Sequence, residues 1–243
     1  MTDKKKLKRI LNSVIYLINK IKLWGIQNMK MKKMISLLAV GTLMFAITAC
    51  SKSKEGTSDE KTLIVENNEV KMLTEVNGKY FTESTRHGVV FKDGSNGEKS
   101  VLRGLADEKE FHQALLDIGA KPGDNLTAED MKASSSAKGA TVEGDKLEAV
   151  VTWEGQDKEI PFEDIIKSSD ERKMDLRFGG NLGSAKTNNT GCVLCLDSCA
   201  TGITSDAAYA TGTSQNKEVQ WFGDESVLPE DGTKVWVTFR IAK

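Results

Sequence analysis

Basic residues are scarce over most of this chain. Beyond residue 49 it holds 24 Lys and Arg against 34 Asp and Glu, a net of −10, whereas the first 49 residues carry ten Lys and Arg and a single acid. That acidity opposes nucleic-acid binding, which depends on neutralising phosphates with cations. It is also an ordinary way for an exported domain to stay soluble. Long apolar runs are missing too. The most apolar stretch, Ile35 to Ala49, has 15 residues, short of the ~20 needed to span a hydrocarbon core. Gly-x-Ser-x-Gly, the P-loop and His-Glu-x-x-His are all absent, so an enzyme is not the expected class. No internal repeat divides the chain.

What is present begins with an address. Lys30-Met31-Lys32-Lys33-Met34, the apolar run and Ile47-Thr48-Ala49-Cys50 form a basic region, a short apolar region and small residues before a break, the pattern of a secretory signal. The break resembles the lipobox of bacterial lipoproteins. That resemblance implies cleavage before Cys50 and lipidation of its sulfur, giving an extracytoplasmic protein whose partner is the cell membrane. One acyl chain anchors only marginally, so stable attachment needs two, which a diacylglyceryl group supplies. The expected organisation is a lipoprotein signal peptide over 29–49, a polar tether over 50–60 and one domain over 61–243. Residues 1–28 combine Lys4, Lys5, Lys6, Lys8 and Arg9 with Ile10, Leu11, Val14, Ile15, Ile18 and Ile21 at helical spacing. They read either as a basic amphipathic extension or as the product of a start placed too early, with Met29 or Met31 the true first residue.

Strand signals dominate 61–243. Leu63-Ile64-Val65, Val70 to Val76 and Lys79-Tyr80-Phe81-Thr82 are short β-type runs separated by Asn67-Asn68 and Asn77-Gly78, and Asn-Gly between such runs is a strong hairpin signal. Gly88 to Phe91 is a further strand candidate. Leu147, Ala149, Val151 and Trp153 put an apolar face on alternate residues, and Glu159 to Phe162 is expected to pair with them. Val219–Phe222 and the alternating Val235, Val237, Phe239 and Ile241 follow. One helix is well marked. Asp107 and Glu110 resemble a capping box, Phe111, Ala114, Leu115 and Ile118 recur at i, i+3, i+4, i+7, and Gly119 and Pro122 stop it. Thr127 can cap a shorter helix around Ala128–Ala133. The expected class is mainly β with one principal helix (α+β), in a single compact domain.

Residues 178–213 differ in kind. They are rich in Gly, Asn, Ser and Thr and contain Cys192, Cys195 and Cys199; so long an irregular segment is expected to be functional or mobile. Cys-x-x-Cys-x-x-x-Cys can aim three sulfurs at one point, and soft thiolates favour Zn, Cu(I) or iron–sulfur clusters. A metal site needs a fourth ligand, for which His87, Asp197, His112 or an external molecule are the candidates. Bacterial ferredoxins use a four-Cys run ending in Cys-Pro, but here Asn189 stands where the first Cys belongs and Ala200 replaces the Pro. Two other readings stay open: a disulfide or redox pair at Cys192 and Cys195 with one thiol left over, or a staple that stiffens a loop. His112, beside the apolar stripe of the helix, reads as a packing residue. Arg177-Phe178-Gly179-Gly180-Asn181 reads as a Gly-Gly turn in preference to an anion cradle. Asp206 to Ser214 has the wrong residue order for the flavin-attachment motif of exported FMN-binding proteins.

Phe111 to Asp124, the Val150–Trp153 strand, the Phe178-Gly179-Gly180 turn and Gly191 to Cys199 together resemble the YdjY-domain proteins of bacteria, in a lipoprotein branch, over roughly Leu63 to Phe239. The resemblance implies no particular reaction, and it adds weight to an iron–sulfur centre. The expectation is a membrane-tethered binding module in which Cys192, Cys195 and Cys199, completed by His87 or Asp197, hold Zn or an iron–sulfur cluster for electron transfer. The alternative is an envelope protein with a structural Cys loop, or a thiol redox protein.

Overall fold

The structure is a computed structural model and describes residues 61–132 and 135–243. The signal peptide, Cys50 and the tether lie outside the described residues. No described helix is long and apolar enough to cross a membrane.

The framework is one large curled sheet. β1 (Leu63–Glu66) and β2 (Glu69–Val76) form a hairpin that turns on Asn67 and Asn68, at φ 51° and 61°. Two successive left-handed residues make the type I′ turn that suits the strand twist, and Asn tolerates that region. β12 (Lys234–Ile241) lies antiparallel to β2, with Val237 opposite Met72 and Phe239 opposite Val70. On the far side of β12 runs β5 (Leu147–Trp153), followed by β6 (Gln156–Pro161). The other direction continues from β2 through β4 (Ser100–Gly104), β3 (His87–Phe91), β9 (Cys192–Cys195), β10 (Thr204–Asp206) and β8 (Leu176–Phe178). A separate two-stranded piece pairs β7 (Ile166–Ser168) with β11 (Trp221–Gly223).

The large sheet comes round to meet itself. β6 pairs with the second half of β5, while β8 reaches the residues just before β5: Arg177 bridges Lys146, and the Phe178 N–H donates to the Asp145 carbonyl at 2.9 Å. Curling of this kind removes exposed strand edges. The interior is filled from alternate strand positions, including Val70, Met72, Val76, Val151, Val235, Val237 and Phe239, all buried. The periodicity that marks these strands in the sequence is therefore the periodicity of the core.

Helix α1 (Glu108–Asp117) covers this interior. The Asp107 carboxylate accepts the Lys109 N–H at 2.7 Å, which satisfies one free donor of the first turn. At the other end the Gly119 N–H bonds to Leu116 O and the Ala120 N–H to Leu115 O, with Gly119 at φ +89°. That is a Schellman stop, where a residue without Cβ takes the left-handed position. Between these caps Phe111 packs edge-on to Phe239, ring centroids 4.7 Å apart.

The mainly β class with a principal helix matches the expectation, in one compact domain; a second helix, α2 (Leu182–Asn188), joins it. Three local expectations need correction. Residues 79–82 are not a strand: Gly78–Phe81 form a 3-10 turn. Asn77 is buried at φ −112°, and its side chain accepts from Arg103 and donates to the Glu98 carbonyl, so the Asn-Gly pair is used for packing instead of a hairpin. The helix after Thr127 is only a 3-10 turn at Asp130–Lys132, although Thr127 does cap it, exchanging bonds with Asp130. Residues 178–213 are not irregular throughout: α2, β9 and β10 lie within them, with β9 and β10 fully buried and α2 burying only Ala185. Their strands are too short, and too rich in Ser, Thr and Cys, to show an apolar alternation.

Phe111→Ala is expected to lower stability by about 3–5 kcal/mol, as for a large aromatic removed from a core. Urea unfolding checks this; a loss below about 1 kcal/mol would mean that α1 does not anchor the interior.

Candidate metal centre

The cysteines occupy the middle of the sheet. β9 is flanked by β3 on one side and β10 on the other. Its pairing with β3 is irregular: His87 is opposite Cys195, Val89 opposite Leu194 and Val90 opposite Cys192, so Gly88 on β3 and Val193 on β9 are each one residue extra. A bulge re-aims the side chains on either side of it. Residues three apart on a regular strand face opposite ways, but these bulges bring Cys192 and Cys195 to one place. Gly88 is required there, because a Cβ would stand 2.7 Å from Leu194 Cδ2 and 3.0 Å from the Phe162 ring.

His87 Nδ1, Cys192 Sγ and Cys195 Sγ all lie within 4.8 Å of one another, and His87 Nδ1 is 3.8 Å from Cys192 Sγ. His87 is half-buried, while Cys192, Cys195 and Cys199 are 1 %, 0 % and 1 % exposed and carry free thiols. The three cysteines pack together with Val90 and with Met131. Asn96 Nδ2 stands 3.9 Å from Cys192 Sγ, and Thr201 Oγ1 3.2 Å from Cys199 Sγ. The turn that carries Cys199 is held by the Asn181 side chain, whose Nδ2 donates to the carbonyls of Cys199 and Gly202 at 3.1 and 2.9 Å.

The sulfurs form an electrostatic chain. Cys195 lies beside both other sulfurs, and their interaction with its thiol, with burial, pushes its pKa well above the usual thiol range. Cys192 is held well below 9.0, first by its hydrogen bond with Cys195 and, against burial, by His87. Cys199 is brought down to about 6, first by Cys195 and then, against burial, by the Arg86 charge. Burial alone favours the neutral thiol. Ionisation of Cys192 and Cys199 is therefore favoured, against burial, by the groups around them.

Asp197 is placed differently from the expectation that it might complete the site. Its carboxylate is fully buried: Oδ1 accepts Arg86 Nε at 2.8 Å and also Arg86 Nη2, and Oδ2 accepts the Ser214 N–H at 3.2 Å. It serves as the counter-ion of Arg86. Burial works against the Arg86 charge, but Cys199 and Asp197 more than offset it, and the guanidinium pKa is raised. His112 is 4 % exposed and packs 5.1 Å from the Phe178 ring, so it is a packing residue; burial lowers its pKa. The Asn181 N–H, part of the possible anion cradle, is taken by the chain's own Asp124 at 2.7 Å. The structure thus assembles His87, Cys192 and Cys195, sets Cys199 beside them, and gives Asp197 to Arg86. Arg86 and Met131 escape sequence reasoning: nothing in a lone Arg or Met signals a partner that lies 111 or 69 residues away along the chain.

The profile of the YdjY domain family matches residues 64–240. A protein of Escherichia coli (strain K12), named Uncharacterized protein YdjY, is 44 % identical over 192 residues, covering 78 % of this chain and 83 % of that protein. No solved structure matches significantly.

Lowering of Cys199 to about 6 has a defined sign. A thiol depressed in the fold adds stability that is fully present above its ordinary value of 9.0 and is lost as pH falls through about 6. In metal-free protein, thiolate absorbance should rise well below pH 9, Cys199 contributing a midpoint near 6; a first midpoint near 9 would contradict the lowering of these thiols.

Proposed function

The chain belongs to the YdjY-domain family, and we propose that it is a membrane-tethered extracytoplasmic binding module whose Cys residues and His87 hold a single thiophilic metal ion. The observation that carries this reading is the convergence of half-buried His87 Nδ1 and buried Cys192 Sγ and Cys195 Sγ within 4.8 Å. Zinc takes thiolate at about 2.3 Å and imidazole at about 2.0 Å, so tetrahedral ligand atoms stand roughly 3.5–3.8 Å apart. Small side-chain shifts would bring these three atoms to that spacing around one ion.

Cys199, adjoining Cys195, is the natural fourth ligand, and Asp197 is not, because both its oxygens are engaged. One ion suits the packing better than an iron–sulfur cluster. A cluster needs its thiolates spread around a larger body with room for inorganic sulfide, whereas here the sulfurs pack directly against one another and Val90. A closed four-ligand set leaves no open position for substrate, which favours a holding or electron-transfer role over hydrolysis. The membrane tether rests on Cys50 and the signal-like residues before it.

Elemental analysis of the full chain, purified without chelators, should find about one thiophilic ion per protein. Cys195→Ser should abolish it with the far-ultraviolet circular dichroism spectrum retained. Absence of Zn, Cu and Fe from the wild type, or unchanged metal in the variant, would refute the site. For the anchor, intact mass of membrane-fraction protein should show a diacylglyceryl group on an N-terminal Cys50; an unmodified Cys50 there would rule it out.

A further inference from the structure

A fourth sulfur-bearing side chain packs on the cysteine cluster, and it is a thioether. Met131 lies on the 3-10 turn Asp130–Lys132, far from the cysteines in sequence, yet it packs against the cluster of Val90, Cys192, Cys195 and Cys199. The same side chain also packs on Leu126, Val142 and Ala200. Its position is determined from both ends. Thr127 donates through N and Oγ1 to the Asp130 carboxylate at 2.7 and 2.6 Å, which fixes the turn. The Ala200 N–H, next to Cys199, donates to Met131 Sδ at 3.3 Å. A main-chain donor aimed at a thioether uses one of its two lone pairs and leaves the other available.

Ligand chemistry then separates the candidate metals. Thiolate and thioether together select Cu(I), while Zn is served by thiolate, imidazole and carboxylate. A neutral, weakly hydrated sulfur adds little to a Zn site but is a good ligand for a soft monovalent ion. The thiol side of the site is dry: Cys195 is 0 % exposed and Cys192 and Cys199 1 %, while His87 and Met131 are partly buried. We infer that the ion is Cu(I), bound by Cys192 and Cys195 with His87, and that Met131 takes the fourth position, which Cys199 would take around Zn, and supplies the thioether that sets the preference over Zn. This rests on the metal-site reading above. Binding displaces the protons of the coordinated thiols to solvent and requires no change in the oxidation state of the metal.

The test uses the full chain, reduced and anaerobic, titrated with Cu(I) against bathocuproine disulfonate and, separately, with Zn(II) against a chromophoric zinc chelator. The expected result is tighter retention of Cu(I). Met131→Leu, a nearly volume-conserving change, should weaken Cu(I) by about tenfold or more and leave Zn unchanged. Cu(I) affinity unaltered in Met131→Leu, or Zn held more tightly than Cu(I) by the wild type, would overturn the inference and leave a metal site standing. No binding of either ion would refute the metal site itself. X-ray absorption at the copper edge of selenomethionine-substituted protein gives a readout independent of the variant's folding: a Cu–Se shell is expected, and its absence overturns the role of Met131.

Discussion

The Arg86–Asp197 ion pair is the contact on which the rest of the centre depends. It joins the start of β3, where His87 follows Arg86, to the loop between Cys195 and Cys199, where Asp197 sits. The main chain doubles the link, with the Leu196 N–H donating to the Arg86 carbonyl at 2.8 Å. Two charges taken out of water interact strongly but lose their hydration, so such a pair adds little net stability by itself. Removing one partner is another matter, because the remaining charge is stranded, at a cost of about 3–5 kcal/mol. The pair therefore acts as a constraint: the fold tolerates both charges or neither, and both hold the imidazole and the thiols in register.

The same pair sets the electrostatics. Arg86 faces Asp197 and also acts on Cys199, so its single positive charge is spread over a carboxylate and the sulfurs. An acidic protein with a dry, thiolate-rich interior has to solve a repulsion problem. Here the solution is one buried cation and the proton kept on Cys195. A metal ion would replace that proton as the centre of the sulfur group, so folding and metal binding are expected to be coupled.

Legibility in the sequence followed periodicity. Phe111, Ala114 and Leu115, and the alternating residues of β5 and β12, bury apolar area at a regular spacing, and both element type and buried face could be read from them. The flanking runs of the first hairpin were readable as strands, but the turn itself was not singled out, because Asn-Asn is a weaker signal than Asn-Gly although both its residues take positive φ. Asn77-Gly78 misled because the same dipeptide also serves a buried side-chain role, which depends on Arg103 and Glu98 and not on neighbouring residues. Within 178–213 the strands are three or four residues long and held by neighbours on both sides, so burial comes from tertiary position and leaves no alternating pattern. The cysteines were visible as a group and His87 as a candidate. The bulges that bring them together were not, since a bulge is a property of two strands.

The meeting of β8 with the chain entering β5 bears on how quickly the centre would exchange an ion bound there. β3 and β9 are interior strands of a sheet whose ends come round to each other, so neither can fray from an open edge. Parting the hydrogen-bonded strands β3 and β9 is a sub-global event whose free energy approaches that of unfolding, whereas the surface turn that carries Met131 can move at much lower cost. Residence time in such a site is therefore set by that turn more than by the pairing of the strands.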